Sequence, residues 1–164
     1  KKIFFDNIRT DYGGDIELMK MGVDSLRKPG ESARVHFEFS IPVSGDLVYF
    51  NPVIAAKFKT NPFTAADRKL PVQLPMPVNR VYTLNMDVPE GYVVDELPKP
   101  VKAAFDGNQG SFEYIIQVAG DRIQFRTKIS INTVEFLPED YASLREFYNF
   151  ILKKYSEQIV FKKK

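Results

Sequence analysis

The sequence predicts a mainly β fold: an antiparallel β-sandwich, immunoglobulin- or fibronectin-like in general architecture, with one amphipathic helix near the C-terminus. Two strongly alternating segments flank Gly120-Asp121, and a segment with helical periodicity follows them. The 164 residues include 14 Phe and 8 Tyr but no Trp, a composition that favours sheet. A chain of this length fits one core, so we predict a single domain over residues 1–164.

The first half of the chain alternates short strand-like segments with turn residues. In one of them, apolar residues alternate with His36, Glu38 and Ser40, so one of its faces should enter a core. Between Val53 and Asn79 the alternation disappears and prolines recur, which predicts a long crossing connection with room for one edge strand. The strands predicted before this connection cover residues 3–8, 16–23, 35–41 and 47–50.

The second half begins with strands over residues 82–88 and 92–94 and continues into the clearest hairpin of the chain. A slip of one residue in this hairpin would expose an apolar row and bury several charges, so its register should be firm. The inward-facing residues of the hairpin are predicted to be Phe112, Tyr114, Ile116 and Val118 in its first strand, and Ile123, Phe125, Thr127, Ile129 and Ile131 in its second.

A helix is predicted at about residues 138–156. Pro138, Glu139 and Asp140 suit its first turn, because a fixed φ and negative charge both favour a helix N-terminus. A short apolar run over residues 158–161 could add an edge strand before the terminal lysines. The predicted apolar stripe of the helix consists of Tyr141, Leu144, Tyr148, Ile151, Leu152 and Tyr155.

Residue types that carry common enzyme chemistry are nearly absent. Without cysteine there is no disulfide, thiolate zinc site or cysteine nucleophile within this chain. The one histidine, His36, lies on the polar face of its predicted strand and is better explained as a solvated strand residue than as a catalytic base. Neither Asp95-Glu96 nor Glu139-Asp140 has enough carboxylates for calcium. We therefore predict no enzyme, no catalytic, cofactor-binding or metal-binding residue, and no assignable binding residue.

Charge and short motifs exclude further classes. The net charge is only +2, so nucleic-acid binding is not predicted, and no apolar run is long enough to span a membrane. The segments 107–110 and 61–63 are each interpreted as a turn, rather than as a phosphate-binding loop and a trafficking ligand respectively. The proline-rich segment 70–77 is interpreted as a crossover strapped across a sheet edge, with an extended ligand for a partner groove as the alternative.

Several strings, in order and spacing, resemble one bacterial domain. They are Val48-Tyr49-Phe50-Asn51-Pro52, Asn61-Pro62-Phe63 with Arg68 and Pro71-Val72, Tyr82-Thr83-Leu84, Val88-Pro89-Glu90-Gly91-Tyr92, Glu96-Leu97-Pro98, Phe136-Leu137-Pro138 and Leu144-Arg145-Glu146-Phe147. Together they resemble the C-terminal domain of unknown function that follows the catalytic core in Gram-negative bacterial transglutaminase-like proteins of the papain-like superfamily. The likeness extends over about residues 46–161.

The resemblance implies a periplasmic or cell-surface protein whose catalytic cysteine, histidine and aspartate lie upstream of this chain. No residue here matches those motifs, and the missing initiator methionine predicts a fragment of a larger protein. The leading hypothesis is a non-catalytic accessory domain that packs against such a module or recognises its partner. The alternatives are an independent carbohydrate- or protein-binding adhesion-type domain and, third, a free-standing hydrolase. An accessory domain should expose an apolar patch, a sugar binder several aromatics, and a hydrolase a cleft containing His36.

Overall fold

A computed structural model describes residues 2–12, 16–25, 30–54, 59–105, 107 and 109–164. The chain divides into two compact units, residues 1–44 and residues 45–164. Across the described residues the fold is mainly β with several antiparallel sheets and a C-terminal helix, which confirms the predicted class. The extent of a single domain over residues 1–164 stays a prediction.

Residues 2–12, 16–25 and 30–44 of the first unit contain one helix and a two-stranded antiparallel ribbon. Helix α1 spans Lys2–Tyr12, strand β1 spans Glu17–Asp24 and strand β2 spans Arg34–Ser40, with a bulge between Leu18 and Lys20. The two strands confirm the predictions for residues 16–23 and 35–41.

The strand predicted over residues 3–8 is wrong, because these residues belong to α1. A short apolar run fits a helix as well as a strand, and pattern alone does not separate them. The Thr10 hydroxyl donates a hydrogen bond to the Asp6 carbonyl at 2.8 Å, four residues earlier, as helical geometry allows. Ile8 is buried while Ile3 is 77% exposed.

The β1–β2 ribbon is amphipathic, but its apolar face is not deeply buried. Register places Met21 opposite Phe37 and Val23 opposite Val35, all on one face. Phe37 and Phe39 are half-buried and Val35 is exposed, so the predicted core-facing row of β2 is only partly covered. The opposite face is polar, with Lys20 paired with Glu38 at 3.2 Å.

The part of the second unit that the structure describes contains nine strands in three antiparallel sheets. The larger sheets have the orders β5-β9-β8-β7 and β3-β11-β6, and β4 pairs with β10. The strands are β3 Leu47–Phe50, β4 Val72–Gln73, β5 Val78–Asp87, β6 Tyr92–Glu96, β7 Val101–Phe105, β8 Gly110–Ala119, β9 Arg122–Ile131, β10 Glu135–Phe136 and β11 Ile159–Lys163. In the described residues of the long connection between β3 and β5, which exclude 55–58, the two-residue β4 is the one strand, as predicted.

The β8–β9 hairpin forms the centre of the four-stranded sheet in the predicted register. Pairing is continuous from Gly110 opposite Ile131 to Ala119 opposite Arg122. The whole predicted inward row of β9 is buried, as is that of β8 apart from Val118, which is 39% exposed near the turn. This hairpin confirms both the strands and the faces expected from alternation.

Three elements of the second unit differ from the prediction. The strands β7 and β10 were not predicted, although β7 follows the prolines at 98 and 100 and shows the alternating burial of a strand. The run over residues 158–161 is not an edge strand: β11 lies between β3 and β6. Ile159 and Phe161 are almost fully buried. The free energy gained by burying these apolar side chains outweighs the effect of the following lysines, whose charge disfavours pairing with a further strand.

The predicted C-terminal helix is confirmed. A 3-10 turn at Pro138–Asp140 leads into α2, Tyr141–Tyr155, and the Asp140 carboxylate accepts a hydrogen bond from the Leu137 backbone N–H at 3.2 Å. The helix packs on the four-stranded sheet, with Phe147 stacked on Phe105 at 5.2 Å between ring centroids. Leu152 and Tyr155, which belong to the predicted stripe, are half-buried. Phe147 and Lys154 are buried, although the predicted stripe did not include them.

Candidate functional site

His36, the residue that a hydrolase would need in its cleft, lines an open groove of about 550 Å³ on the β1–β2 ribbon. Its imidazole Nδ1 lies 3.5 Å from the Asp24 carboxylate. Its ring covers Gly22 on the facing strand, where a Cβ atom would clash with His36 Nε2. A side chain at Gly22 would therefore displace the histidine.

The groove brings His36 together with charged groups but not with a nucleophile. Lys20 and Glu38 pair with each other, and the remaining lining residues are Met21 and Phe37. Within this described lining there is no hydroxyl or thiol that His36 could activate, as nucleophilic catalysis requires. The parts of the chain that the structure describes also contain no cluster of three metal-ligating side chains.

Among the described residues, the titratable groups with clearly perturbed pKa values all belong to the second unit. Burial raises the pKa values of Tyr82, Tyr114, Tyr148 and Tyr155. The Tyr82 hydroxyl donates to the Pro52 carbonyl at 3.0 Å, and the Tyr155 hydroxyl lies 3.2 Å from the Thr127 hydroxyl. These tyrosines line the interface of sheet and helix, so packing accounts for their environment.

Tyr114 is the exception among these hydroxyls. The residue is fully buried, and its hydroxyl has no hydrogen-bond partner among the described atoms. A buried polar group without a partner costs about 1–3 kcal/mol. We therefore expect Tyr114→Phe to be as stable as the parent at neutral pH or more stable by about 1 kcal/mol, measured by urea unfolding. Marked destabilisation of this variant would show that the hydroxyl has a partner.

The same variant should change the alkaline limb of stability. The raised pKa of Tyr114 means that, above its ordinary value of 10.0, the unfolded chain loses this proton before the folded protein does. The corresponding stability is present below pH 10.0 and decreases as pH rises above it. Tyr114→Phe should therefore lose less stability above that pH than the parent. Tyr49→Phe, at an exposed tyrosine, is the matched control.

Lys154 is a buried cation at the end of α2. Its Nζ donates to the Lys99 carbonyl at 2.8 Å, pairs with the Glu157 carboxylate, and lies 4.8 Å from the centre of the Tyr114 ring. Lys154 follows Ile151 by three residues and Phe147 by seven, so helical periodicity could have identified it as inward-facing. The contacts tie the helix to the segment between β6 and β7.

Two Asn-Pro motifs hold the same helix near its two ends. The Asn51 side-chain N–H donates to the Tyr155 carbonyl at 2.7 Å, and the Asn61 side chain donates to the Arg145 carbonyl at 2.9 Å. Each asparagine oxygen also accepts the backbone N–H two residues later, from Val53 and from Phe63 respectively. The two asparagines lie ten positions apart, and so do the two helix residues that they contact. The order is reversed, because the earlier asparagine, Asn51, contacts the later helix residue, Tyr155.

These hydrogen bonds give Asn61-Pro62-Phe63 a structural role. The motif forms a local turn, as expected, and Phe63 is 9% exposed with its ring 4.9 Å from that of Tyr148. A buried phenylalanine is not available to a trafficking partner. The turn interpretation of residues 107–110 also fits, since Gly107 and Gln109 lie in a turn and Gly110 opens β8, while Asn108 lies outside the described residues.

We expect Asn61→Ala to lower the free energy of unfolding by about 1–2 kcal/mol, because it removes the turn acceptor and leaves the Arg145 carbonyl without this donor. Asn61→Asp keeps the acceptor but loses the donations to the Arg145 carbonyl and to the Asn149 side-chain oxygen, so it should also destabilise the protein. Asn85→Ala, at an exposed position of β5, should change stability by less than about 0.5 kcal/mol. Urea unfolding of all three variants tests this; equal stability of Asn61→Ala and the parent would contradict it.

The outer faces of the two larger sheets differ in character. The four-stranded sheet is polar outside: Arg126 pairs with Glu113 at 2.9 Å and lowers the pKa of that carboxyl, and Arg122 pairs with Asp87 at 3.1 Å. The three-stranded sheet exposes apolar side chains outside, interrupted by two charged residues. We define its outer face by the residues Leu47, Tyr49, Val93, Glu96, Val160 and Lys162.

Register makes this outer face continuous across all three strands. Leu47, Lys162 and Val93 form one cross-strand row, and Tyr49 lies opposite Val160 in the next row. Leu47 is 48% exposed, Tyr49 59% and Val93 42%. Tyr49 is the one exposed aromatic among the side chains that the structure describes, so these residues present no platform of several aromatics for a sugar.

Comparison with known proteins identifies the class to which this β-domain belongs. Residues 46–161 match the family model described as "Domain of Unknown Function with solved-structure structure (DUF3858)". The match covers most of the chain, so the chain belongs to this family. Its limits agree with those of the sequence resemblance. Comparison with curated proteins gave no match.

One solved structure shares the fold. It is the crystal structure of a protein from Parabacteroides distasonis described as a "putative protease", with a TM-score of 0.50 and 17% sequence identity. The likeness covers 60% of this chain but only 19% of that protein. At this identity it shows a common fold and no more. No helix within the described residues of the present chain is long and apolar enough to cross a membrane.

Proposed function

We propose that this chain is a non-catalytic accessory or interaction domain of a transglutaminase-like protein. In this proposal it follows the catalytic core, packs against that core or recognises its partner, and acts in the periplasm or at the cell surface. The observation that carries the proposal is the fold match to a fifth of a much larger protein described as a protease. A fold that recurs as one part of a longer chain fits an accessory module.

Two features of the chain support the non-catalytic role. The groove at His36 has no nucleophile among its described lining residues, and the perturbed tyrosines are explained by burial in the core. The outer face of the three-stranded sheet exposes Leu47, Tyr49 and Val93, and exposed apolar side chains are expected of a domain that packs on another. The third hypothesis, a free-standing hydrolase, is supported only by the position of His36 in a groove.

The test begins with the complete natural reading frame, which should encode a module with cysteine, histidine and aspartate before this domain. The complete protein and a version lacking residues 46–161 would then be compared by hydrogen exchange. Removal of a packed accessory domain should increase exchange over one continuous surface of the catalytic module. A reading frame without such a module, or identical exchange in the two proteins, would contradict the proposal.

A further inference from the structure

The four-stranded sheet has one long edge without the features that normally prevent pairing with a further strand. Strand β5 is ten residues long and pairs with β9 without a bulge from Val78 to Asp87. Its residues 81–86 contain no charge, proline or glycine. Natural edge strands are usually short, bulged or marked with lysine or proline, because an open edge offers unpaired backbone groups to any other strand. Six uncharged residues of this composition favour pairing between chains.

The other edges of the two larger sheets have such protection. Strand β7 has five residues and carries the exposed Lys102, and β3 has only four residues. Strand β6 has five residues and pairs with β11 through a register shift. Among the described residues, no segment other than β9 is hydrogen-bonded to the backbone of β5. One side of β5 therefore presents open N–H and C=O groups, which another extended strand can satisfy.

From this edge we infer that β5 pairs with β5 of a second copy of this chain, which joins two four-stranded sheets across a twofold axis. The exposed outer row of β5 is Asn79, Val81, Thr83 and Asn85, and Val81 is 54% exposed. Two β-branched residues between two asparagines have the same order in both directions. Antiparallel pairing about Tyr82 therefore sets each Val81 opposite Thr83 of the other copy. The same pairing sets each Asn79 opposite Asn85, where the two amides can hydrogen-bond.

The charged residues of β5 do not oppose this pairing. Asp87 is paired with Arg122 of its own sheet at 3.1 Å. Arg80 is exposed, so its long side chain can keep the guanidinium group in water beside the junction. In pairing about Tyr82 neither residue lies opposite a like charge. The inference concerns a contact between copies of this chain and does not depend on the proposed function.

Sedimentation of the present chain over a range of protein concentrations tests the inference, and we expect a concentration-dependent dimer. The double variant Val81→Glu with Thr83→Glu should weaken the dimer about tenfold or more, because it places like charges directly opposite each other. Within one copy the new carboxylates lie beside Lys128 and Arg126 of β9, so the fold should be kept. A chain that stays monomeric at every concentration, or a dimer that this variant leaves unchanged, would overturn the inference.

The matched control places the same two charges on the edge strand of the other large sheet. Leu47→Glu with Tyr49→Glu changes two exposed residues of β3 and should leave the dimer as in the parent. A dimer lost in this control but kept in the β5 variant would place the contact elsewhere and overturn the inference. Urea unfolding of each variant shows that it is folded.

Two further measurements test the pairing itself. Mixing the glutamate variant with Val81→Lys and Thr83→Lys in one chain should restore the dimer, because opposite charges then face each other. In the unsubstituted chain, the β5 amides that point away from β9 should exchange hydrogen more slowly as protein concentration rises, whereas β7 amides should not change. A mixture that stays monomeric would overturn pairing about Tyr82. Exchange in β5 that does not depend on concentration would overturn strand pairing altogether.

Discussion

Replacing Tyr148 with alanine is expected to lower the free energy of unfolding by about 3–5 kcal/mol, the usual cost of truncating a large buried aromatic side chain. Tyr148 is 7% exposed and lies in the middle of α2. Its ring meets Phe63 edge-on at 4.9 Å, so truncation would also remove the aromatic contact between the helix and the β3–β5 connection. Truncation would leave a cavity between the helix and the β3–β5 connection.

Thermal and urea unfolding followed by circular dichroism would measure this effect. For a unit of this size, the loss corresponds to a fall in melting temperature of roughly 10 °C or more. Lys153→Ala changes an exposed residue of the same helix and should cost less than about 0.5 kcal/mol. An unchanged melting temperature for Tyr148→Ala would show that the side chain is solvated and that the helix stripe is available for binding.

The parts of the fold that could be predicted from sequence are those in which periodicity and burial agree over many residues. The β8–β9 hairpin alternates over ten residues on each strand, and α2 has apolar residues on one stripe for fifteen. Over such lengths a strand pattern and a helix pattern exclude each other. Both elements, and almost all their predicted inward faces, were therefore found at the expected positions.

Short elements could not be predicted in the same way. Residues 3–8 carry too few apolar positions to distinguish a helix from a strand, and the five-residue β11 gives no signal of whether it pairs on one side or two. The central position of β11 depends on β3 and β6, which lie more than 60 residues before it in the sequence. No local pattern contains that information.

The outer face of the three-stranded sheet could not be predicted from the sequence either, for a related reason. Leu47, Val93 and Lys162 belong to three strands that are distant in sequence, and only the register places them in one row. The Asn51 and Asn61 contacts to the helix likewise span 104 and 84 residues. The resemblance included both Asn-Pro motifs, and their hydrogen bonds now give a physical reason for these strings: they hold α2 in place.

Lys154→Ala is expected to produce the second large loss, about 2–3 kcal/mol. Removal of one partner from a fully buried ion pair costs about 3–5 kcal/mol, but the Glu157 side chain is 36% exposed and water offsets part of that cost. The variant would also leave the Lys99 carbonyl without its donor and the Tyr114 ring without its cation. The buried aliphatic stem of the lysine adds a packing contribution.

A set of variants separates charge from packing. Lys154→Met keeps most of the stem and removes the charge, so Glu157 is left as an unpaired carboxylate beside a buried ring. The double variant Lys154→Met with Glu157→Gln removes both charges, and it should recover part of the stability that Lys154→Met loses. Urea unfolding of Lys154→Met, of Glu157→Gln and of the double variant gives the coupling energy between the two side chains. Coupling near zero would mean that the lysine stabilises the helix end only through its stem and its bond to Lys99, and that Glu157 is satisfied by water.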